Sequence, residues 1–264
     1  MKILAGVAAM IFLVAGCATA QTNSSSNIVP FLGDIPQFHL TTNKLSDAEI
    51  QGRQLAQKLL EQQPTENFTN TGVLKIKNTE GKTIEIPIKC EAVVTATNWG
   101  IIYEIHNDWG TESLSVVHKG SAENLYHFHK DFGDSVTSKL LSSKQTIMPF
   151  ANSDFWLCDL GLEFFHWPEQ KILKKEVKRS RGCSVLESTN PDPSTNGYSR
   201  VVSWIDNDGG GIVQAFAYDA QGKLLKEFYP TSLKKVNGQY QVQEMEMLND
   251  QTKSRTRLTF DLKN

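Results

Sequence analysis

The chain has 264 residues, with 27 basic and 29 acidic side chains and a formal net charge of −2. That balance leaves no basic stripe for nucleic acid and no electrostatic pull toward an anionic membrane surface. At 39% apolar residues a packed core is affordable, and the length fits one large β-rich domain or two smaller ones.

Residues 1–20 read as a signal peptide. Met1-Lys2 gives a short positive start, and Ile3 to Ala15 is an uncharged apolar run, shorter than the roughly 20 residues that span a bilayer. Two cleavage readings stand. Ala18-Thr19-Ala20 has the small-x-small form of an ordinary signal-peptidase site, while Val14-Ala15-Gly16-Cys17 resembles the bacterial lipobox, whose cysteine is acylated and becomes the new first residue. Lipidation of Cys17 is preferred, because an exported segment rarely carries a spare reactive thiol. By resemblance to bacterial lipoproteins, Ala18 in place of Asp after the cysteine implies an outer-membrane address facing the periplasm. The other cleavage makes a soluble periplasmic or secreted protein. Polar residues 21–27, with Ser24-Ser25-Ser26, fit a flexible tether within 21–45.

Ser46-Asp47-Ala48-Glu49 has the form of a capping box, Ile50, Leu55, Leu59 and Leu60 mark an apolar side, and Pro64 stops the element. This predicts one amphipathic helix of about four turns. The period then changes to two. Strands are predicted at Val73–Ile76, Ile84–Ile88, Val93–Thr97, Ile101–Ile105 and Leu114–His118. From Ser121 to Trp167 the apolar clusters lose clean alternation, and short helices joined by loops are expected. Strand signals return at Ile172–Arg179, Cys183–Ser188, Ser199–Asp206, Ile212–Tyr218, Leu224–Phe228, Tyr240–Leu248 and Arg255–Leu262. Short turns between sequential strands predict an antiparallel meander, with residues 46–264 as a single domain.

Catalytic machinery is not in view. There is no Gly-x-Ser-x-Gly elbow, and Gly209-Gly210-Gly211 lies between strands, where it reads as a hairpin. His127 and His129, with Asp131 and Asp134 nearby, share a strand face and could offer two metal ligands, but nothing marks a third. They read as surface residues, and a metal-dependent hydrolase built on them ranks last. Asp206/Asp208 and Glu244/Glu246 read as solvated charge, and Lys174 to Arg179 as an exposed strand face. No enzyme activity, metal or cofactor is expected. With Cys17 acylated, Cys90, Cys158 and Cys183 remain; three pairings are open, and Cys158–Cys183 closes the shortest loop. Without CxxC or a Cys/His cluster, structural zinc is not expected. The aromatic residues Trp99, Phe155, Trp156, Phe164, Phe165, Trp204, Phe216 and Phe228 are candidates for a core or for a ligand cavity and its lid.

The segment from Asp154 onward carries a family pattern. It consists of Asp154 with Asp159-Leu160, then Arg181-Gly182-Cys183-x-Val185-Leu186-Glu187, Tyr198, Trp204-Ile205-Asp206, Tyr218-Asp219-x-x-Gly222-Lys223 with Lys226, Met247, and Thr256-x-Leu258-x-Phe260. In order and spacing it resembles the outer-membrane lipoprotein-sorting proteins around the LolA and LolB carriers. The resemblance implies a mainly β, α+β fold: an incomplete, strongly curved antiparallel β-barrel (half-barrel) with a helical lid. It also implies a cavity for acyl chains of lipids or lipoproteins and no enzymatic activity. By that analogy Phe155 to Leu160 lie in the lid, and Trp204 and Phe216 face the hollow. The competing expectation is a structural or sensing envelope lipoprotein that docks a protein partner.

Overall fold

The computed structural model describes residues 45–262, apart from 109, 134 and 237. The signal peptide, Cys17 and the tether of the sequence reading lie outside the described residues, as does Asp134.

The helix sits where its capping signal places it. In α1 (Asp47–Leu60) the Glu49 amide donates to the Ser46 hydroxyl at 3.4 Å, and the Glu49 carboxylate accepts from the Ser46 amide at 2.7 Å. The helix packs on β7 (Glu169–Lys178). Gly52 makes that approach possible, since a Cβ there would lie 2.5 Å from the Lys171 amide nitrogen.

Six strands precede β7: β1 (Phe68–Lys77), β2 (Thr83–Val94), β3 (Trp99–Asn107), β4 (Gly110–Lys119), β5 (Ala122–Phe132) and β6 (Ser135–Leu141). Six follow it: β8 (Arg181–Thr189), β9 (Arg200–Asp206), β10 (Ile212–Tyr218), β11 (Leu224–Val236), β12 (Gln239–Asn249) and β13 (Arg255–Phe260). All belong to one 13-stranded sheet of order β6-β5-β4-β3-β2-β1-β13-β12-β11-β10-β9-β8-β7, antiparallel at every junction. Two meanders are thus joined at one seam, where β1 pairs with β13. Among the described residues the sheet does not close, and β6 and β7 are its edges.

Three sequence expectations need correction. Residues 122–141, read as helix and loop, form the β5–β6 hairpin. Their alternation is real but short: Tyr126 and Phe128 are buried, and His127 between them is exposed. Strand β2 also continues to Val94 where a separate strand was expected, and β11 runs past Phe228 to Val236.

The stretch from 142 to 168 holds the few remaining helical turns: 3₁₀ turns at Ser143–Thr146 and Glu163–His166, and the one-turn α2 (Leu157–Leu160). Tyr126 of β5 donates to Glu163 at 2.7 Å, and Gln170 of β7 donates to the carbonyls of Phe164 at 3.0 Å and Trp167 at 2.8 Å. In the strand order β5 and β7 stand eleven places apart, about 53 Å in a flat sheet at ~4.8 Å per strand. Both bond to one five-residue stretch, so the sheet curls around it. The main core fills the inner face, with Ile101, Tyr103, Leu114, Leu186 and Leu258 essentially sealed.

Gly52→Ala tests the α1–β7 contact. In a free helix it would stabilise by about 1 kcal/mol; here we expect urea unfolding to show a net loss of about 1 kcal/mol or more, because the helix must move off the β7 backbone. A gain in stability would mean that the helix does not sit this close.

Candidate functional site

The inner segment is locally improbable and is held from many sides. Ala151, Asn152 and Leu162 all adopt left-handed backbone (φ 54°, 54° and 51°), at a cost of about 1 kcal/mol or more each. A Cβ at Gly161 would lie 2.1 Å from the Tyr126 hydroxyl. The restraints come from strands far apart in the sheet. The Glu112 carboxylate (β4) accepts from the Ala151 amide at 2.7 Å. The Tyr103 hydroxyl (β3) donates to the Leu160 carbonyl at 3.3 Å, and Asn124 (β5) to the Gly161 carbonyl at 2.8 Å. On the other side, the Asp154 carboxylate accepts from Thr256 (β13) at 2.8 Å, and the Asp154 amide donates to the same hydroxyl oxygen at 2.9 Å.

Between this segment and the sheet lies a hollow of about 30 Å³. Phe155, Leu160, Leu162 and Phe164 close it from the segment side. Its floor comes from β9 to β12, with Val201, Ile212, Phe228, Met245 and Met247. Ala215 and Ala217 stand opposite Phe228 and Lys226 in the β10–β11 register, and their small side chains leave the space. The volume is enough for one water molecule or two.

One end of the hollow is polar. The Asp159 carboxylate accepts from the Trp156 amide at 2.8 Å, fixing the first turn of α2, and from the Tyr198 hydroxyl at 2.9 and 3.1 Å. Lys226, whose side chain is 0% exposed, lies 3.3 Å from Asp159 Oδ2. Its ammonium sits 3.5 Å from the centre of the Trp156 ring, which stacks on Tyr198 at 4.8 Å. Burial pushes the Lys226 ammonium below its usual range, and the charge of Asp159 opposes that push. Burial, with the nearby Asp159 charge, drives the Tyr198 hydroxyl and the Cys158 thiol well up, so both stay protonated at neutral pH.

The aromatic candidates divide. Phe155, Phe164 and Phe228 line the hollow, with Phe155 edge-on to Phe228 at 6.5 Å. Phe165 packs edge-on against Phe164 at 4.5 Å, and Trp156 covers Lys226. Trp99 is elsewhere, stacked on His118 at 4.0 Å. Trp204 and Phe216 do not face the hollow. They pack together at 5.0 Å in a separate cluster with Cys183, Val185, Val202 and Val213, on the face opposite Val201 and Ile205. Lys178 covers that cluster, 4.8 Å from the Trp204 ring, and the Trp204 indole donates to Glu176 at 2.5 Å.

The Cys158–Cys183 pairing is not formed. Cys158 belongs to the inner core and Cys183 to the outer cluster, with the sheet between them, and both are free, as is Cys90. Asp206 and Glu246 are not solvated. Asp206 is buried against Arg181 at 2.8 Å, and Glu246 against Arg257 at 2.6 Å. His127 and His129 sit on β5, facing away from Tyr126 and Phe128. Among the described residues no three His, Cys, Asp or Glu side chains gather as a metal site.

Asp159, Tyr198 and Lys226 were not read as site residues, although all three occur in the family pattern. The pattern was the signal that could have found them; what it lacked was their burial, which leaves Lys226 0% exposed beside Asp159.

A family model with the description "-like: Uncharacterized protein" matches residues 101–262. No curated protein matches the chain. Among solved structures, the chain is similar to a putative outer membrane lipoprotein-sorting protein domain from Vibrio parahaemolyticus (20% identity, TM-score 0.68, covering 81% of this chain and 92% of that one). It is also similar to a DUF1329 family protein from Desulfovibrio piger (17%, TM-score 0.67, 82% and 92%) and to a LolA superfamily protein from Nitrosomonas europaea (15%, TM-score 0.55, 82% and 93%). At these identities the likeness is one of fold.

One outcome tests the site and a second tests the Trp99–His118 stack. Asp159→Asn leaves Lys226 buried without its counter-ion, and we expect a loss of about 3 kcal/mol in urea unfolding; Asp159→Asn combined with Lys226→Met, which buries no lone charge, recovers most of it. The second concerns His118, which burial depresses from 6.5 to about 3. The unfolded chain takes up this proton near pH 6.5 and the folded one only near 3, so stability is complete above 6.5 and falls as the pH drops toward 3. His118→Phe, which keeps an aromatic partner for Trp99, flattens that acid limb of the stability profile.

Proposed function

We propose that the chain, which belongs to the family whose model matches residues 101–262 and shares its fold with a LolA superfamily protein, binds acyl chains of lipids or lipoproteins, without catalysing a reaction, between its curled sheet and the 147–167 segment. In this reading residues 46–264 are one domain, the open sheet is an incomplete barrel, and the inner segment is its lid. Cys17 carries the lipid anchor, and the domain faces the periplasm from the outer membrane. Sorting of lipoproteins is the process that the description of the Vibrio parahaemolyticus relative supports.

The observation that carries the reading is the apolar hollow under the segment. An acyl chain of about fifteen methylenes gains about 12 kcal/mol on full burial, at ~0.8 kcal/mol per CH₂, so apolar walls alone supply affinity. A volume of about 30 Å³ is some tenfold below that of an ordinary ligand pocket. The lid therefore opens on loading, and its held-down, strained backbone is what moves. The same small volume favours a second reading, in which the segment is a permanent core and the protein is a structural or sensing lipoprotein that docks a protein partner.

Native mass spectrometry of the chain lacking residues 1–20, followed by lipid extraction, separates the two. We expect co-purified phospholipid or fatty acid, and its loss in Ala215→Phe, which fills the hollow at a cost of about 1–3 kcal/mol in a protein that still folds. A ligand-free mass that also refuses added acyl chains would overturn acyl binding and leave the docking module.

A further inference from the structure

We propose that the ligand is an amphiphile with an anionic head, a carboxylate or a phosphate, and that Lys226 binds that head; the inference rests on the acyl-binding reading. It starts from an imbalance in the polar cluster. Asp159 is well supplied with donors: the Trp156 amide at 2.8 Å and the Tyr198 hydroxyl at 2.9 and 3.1 Å serve it before Lys226 does. Lys226 is poorly supplied with acceptors. An ammonium has three donors, and the oxygen within reach is Asp159 Oδ2 at 3.3 Å, beyond the ~2.7–2.9 Å of a strong charge-assisted bond. Its other neighbours are the faces of Trp156 and Tyr198, at 3.5 and 5.3 Å.

The two charges also stand on different parts. Asp159 belongs to the segment that must lift, Lys226 to the floor strand β11. Opening separates them and strands a cation in the wall of an apolar hollow. A neutral ligand leaves it stranded. An anionic head replaces the departing carboxylate, while the tail lies along Phe228, Met245 and Met247. A latch alone does not call for this pair, since a buried ion pair holds two surfaces no better than apolar side chains of the same volume.

The test measures binding of palmitate, hexadecyl phosphate and hexadecanol to the full chain by calorimetry. The three share one tail, and the stronger of the two anions identifies the head. We expect at least one anion to bind about tenfold or more tighter than hexadecanol. Asp159→Asn, which removes the competing carboxylate, widens that preference; Lys226→Met abolishes it while hexadecanol still binds. A structural latch gives a different pattern, because both substitutions would then loosen the lid and shift all three probes together. The Asp159→Asn, Lys226→Met double variant buries no lone charge and guards against a misfolded single variant; it must bind all three probes alike. Equal affinities in the unmodified chain, or a preference that survives loss of Lys226, would overturn the inference and leave acyl binding intact. Failure of all three probes, hexadecanol included, would overturn the acyl-binding reading and this inference with it.

Discussion

Residues 142–168 leave one free edge of the sheet at β6 and arrive at the other at β7. A compact segment of that length cannot bridge thirteen flat strands, so the sheet must bend until both edges meet the same few residues. Tyr126 and Gln170 mark the meeting, since both bond within residues 163–167. The inner core, the hollow and the position of every anchoring side chain depend on that one connection.

The segment is bound to the sheet by polar groups that an ordinary core would exclude. Glu112, Glu163, Asp154, Asp159 and Lys226 are all buried or nearly so. Each costs desolvation free energy that its hydrogen bonds must offset, and burial pushes Glu163 up despite its bond from Tyr126. Apolar packing would hold the same surfaces with less risk. Polar anchors give a different property: their bonds are directional, so the segment has one seated position and a sharp boundary to leaving it.

Much of this was legible from residue order. The capping box at Ser46 and Glu49 located α1, and turns such as Asp219–Gly222 located the hairpins of the second meander. Where reading failed, a specific geometry was responsible. In β10 the register shifts between Ile212 and Gln214, and Ile212, Ala215 and Ala217 face inward while Phe216 faces outward; the family analogy that put Phe216 inside carried no register to place it by. In β9 both faces are covered, Val201 and Ile205 on one side and Val202 and Trp204 on the other, and alternation carries no direction. For β5, the pattern Tyr126-His127-Phe128-His129 was visible but spans too few residues to stand out beside Lys130 and Asp131. The polar end of the hollow was illegible for another reason, since Asp159, Tyr198 and Lys226 come from three distant stretches that only the curl brings together.

The seam between β1 and β13 has a consequence for how the molecule assembles. Every other strand pair joins neighbours along the chain, and such hairpins form quickly because little entropy is lost in closing them. The seam instead brings together residues such as Thr71 and Asp261, 190 positions apart. Each meander can therefore take shape from local hairpins, with β1 and β13 as raw edges until that row of hydrogen bonds zips. During this interval the unpaired edges are open to strands of other chains, so the kinetic hazard of this fold is concentrated at one line down its middle.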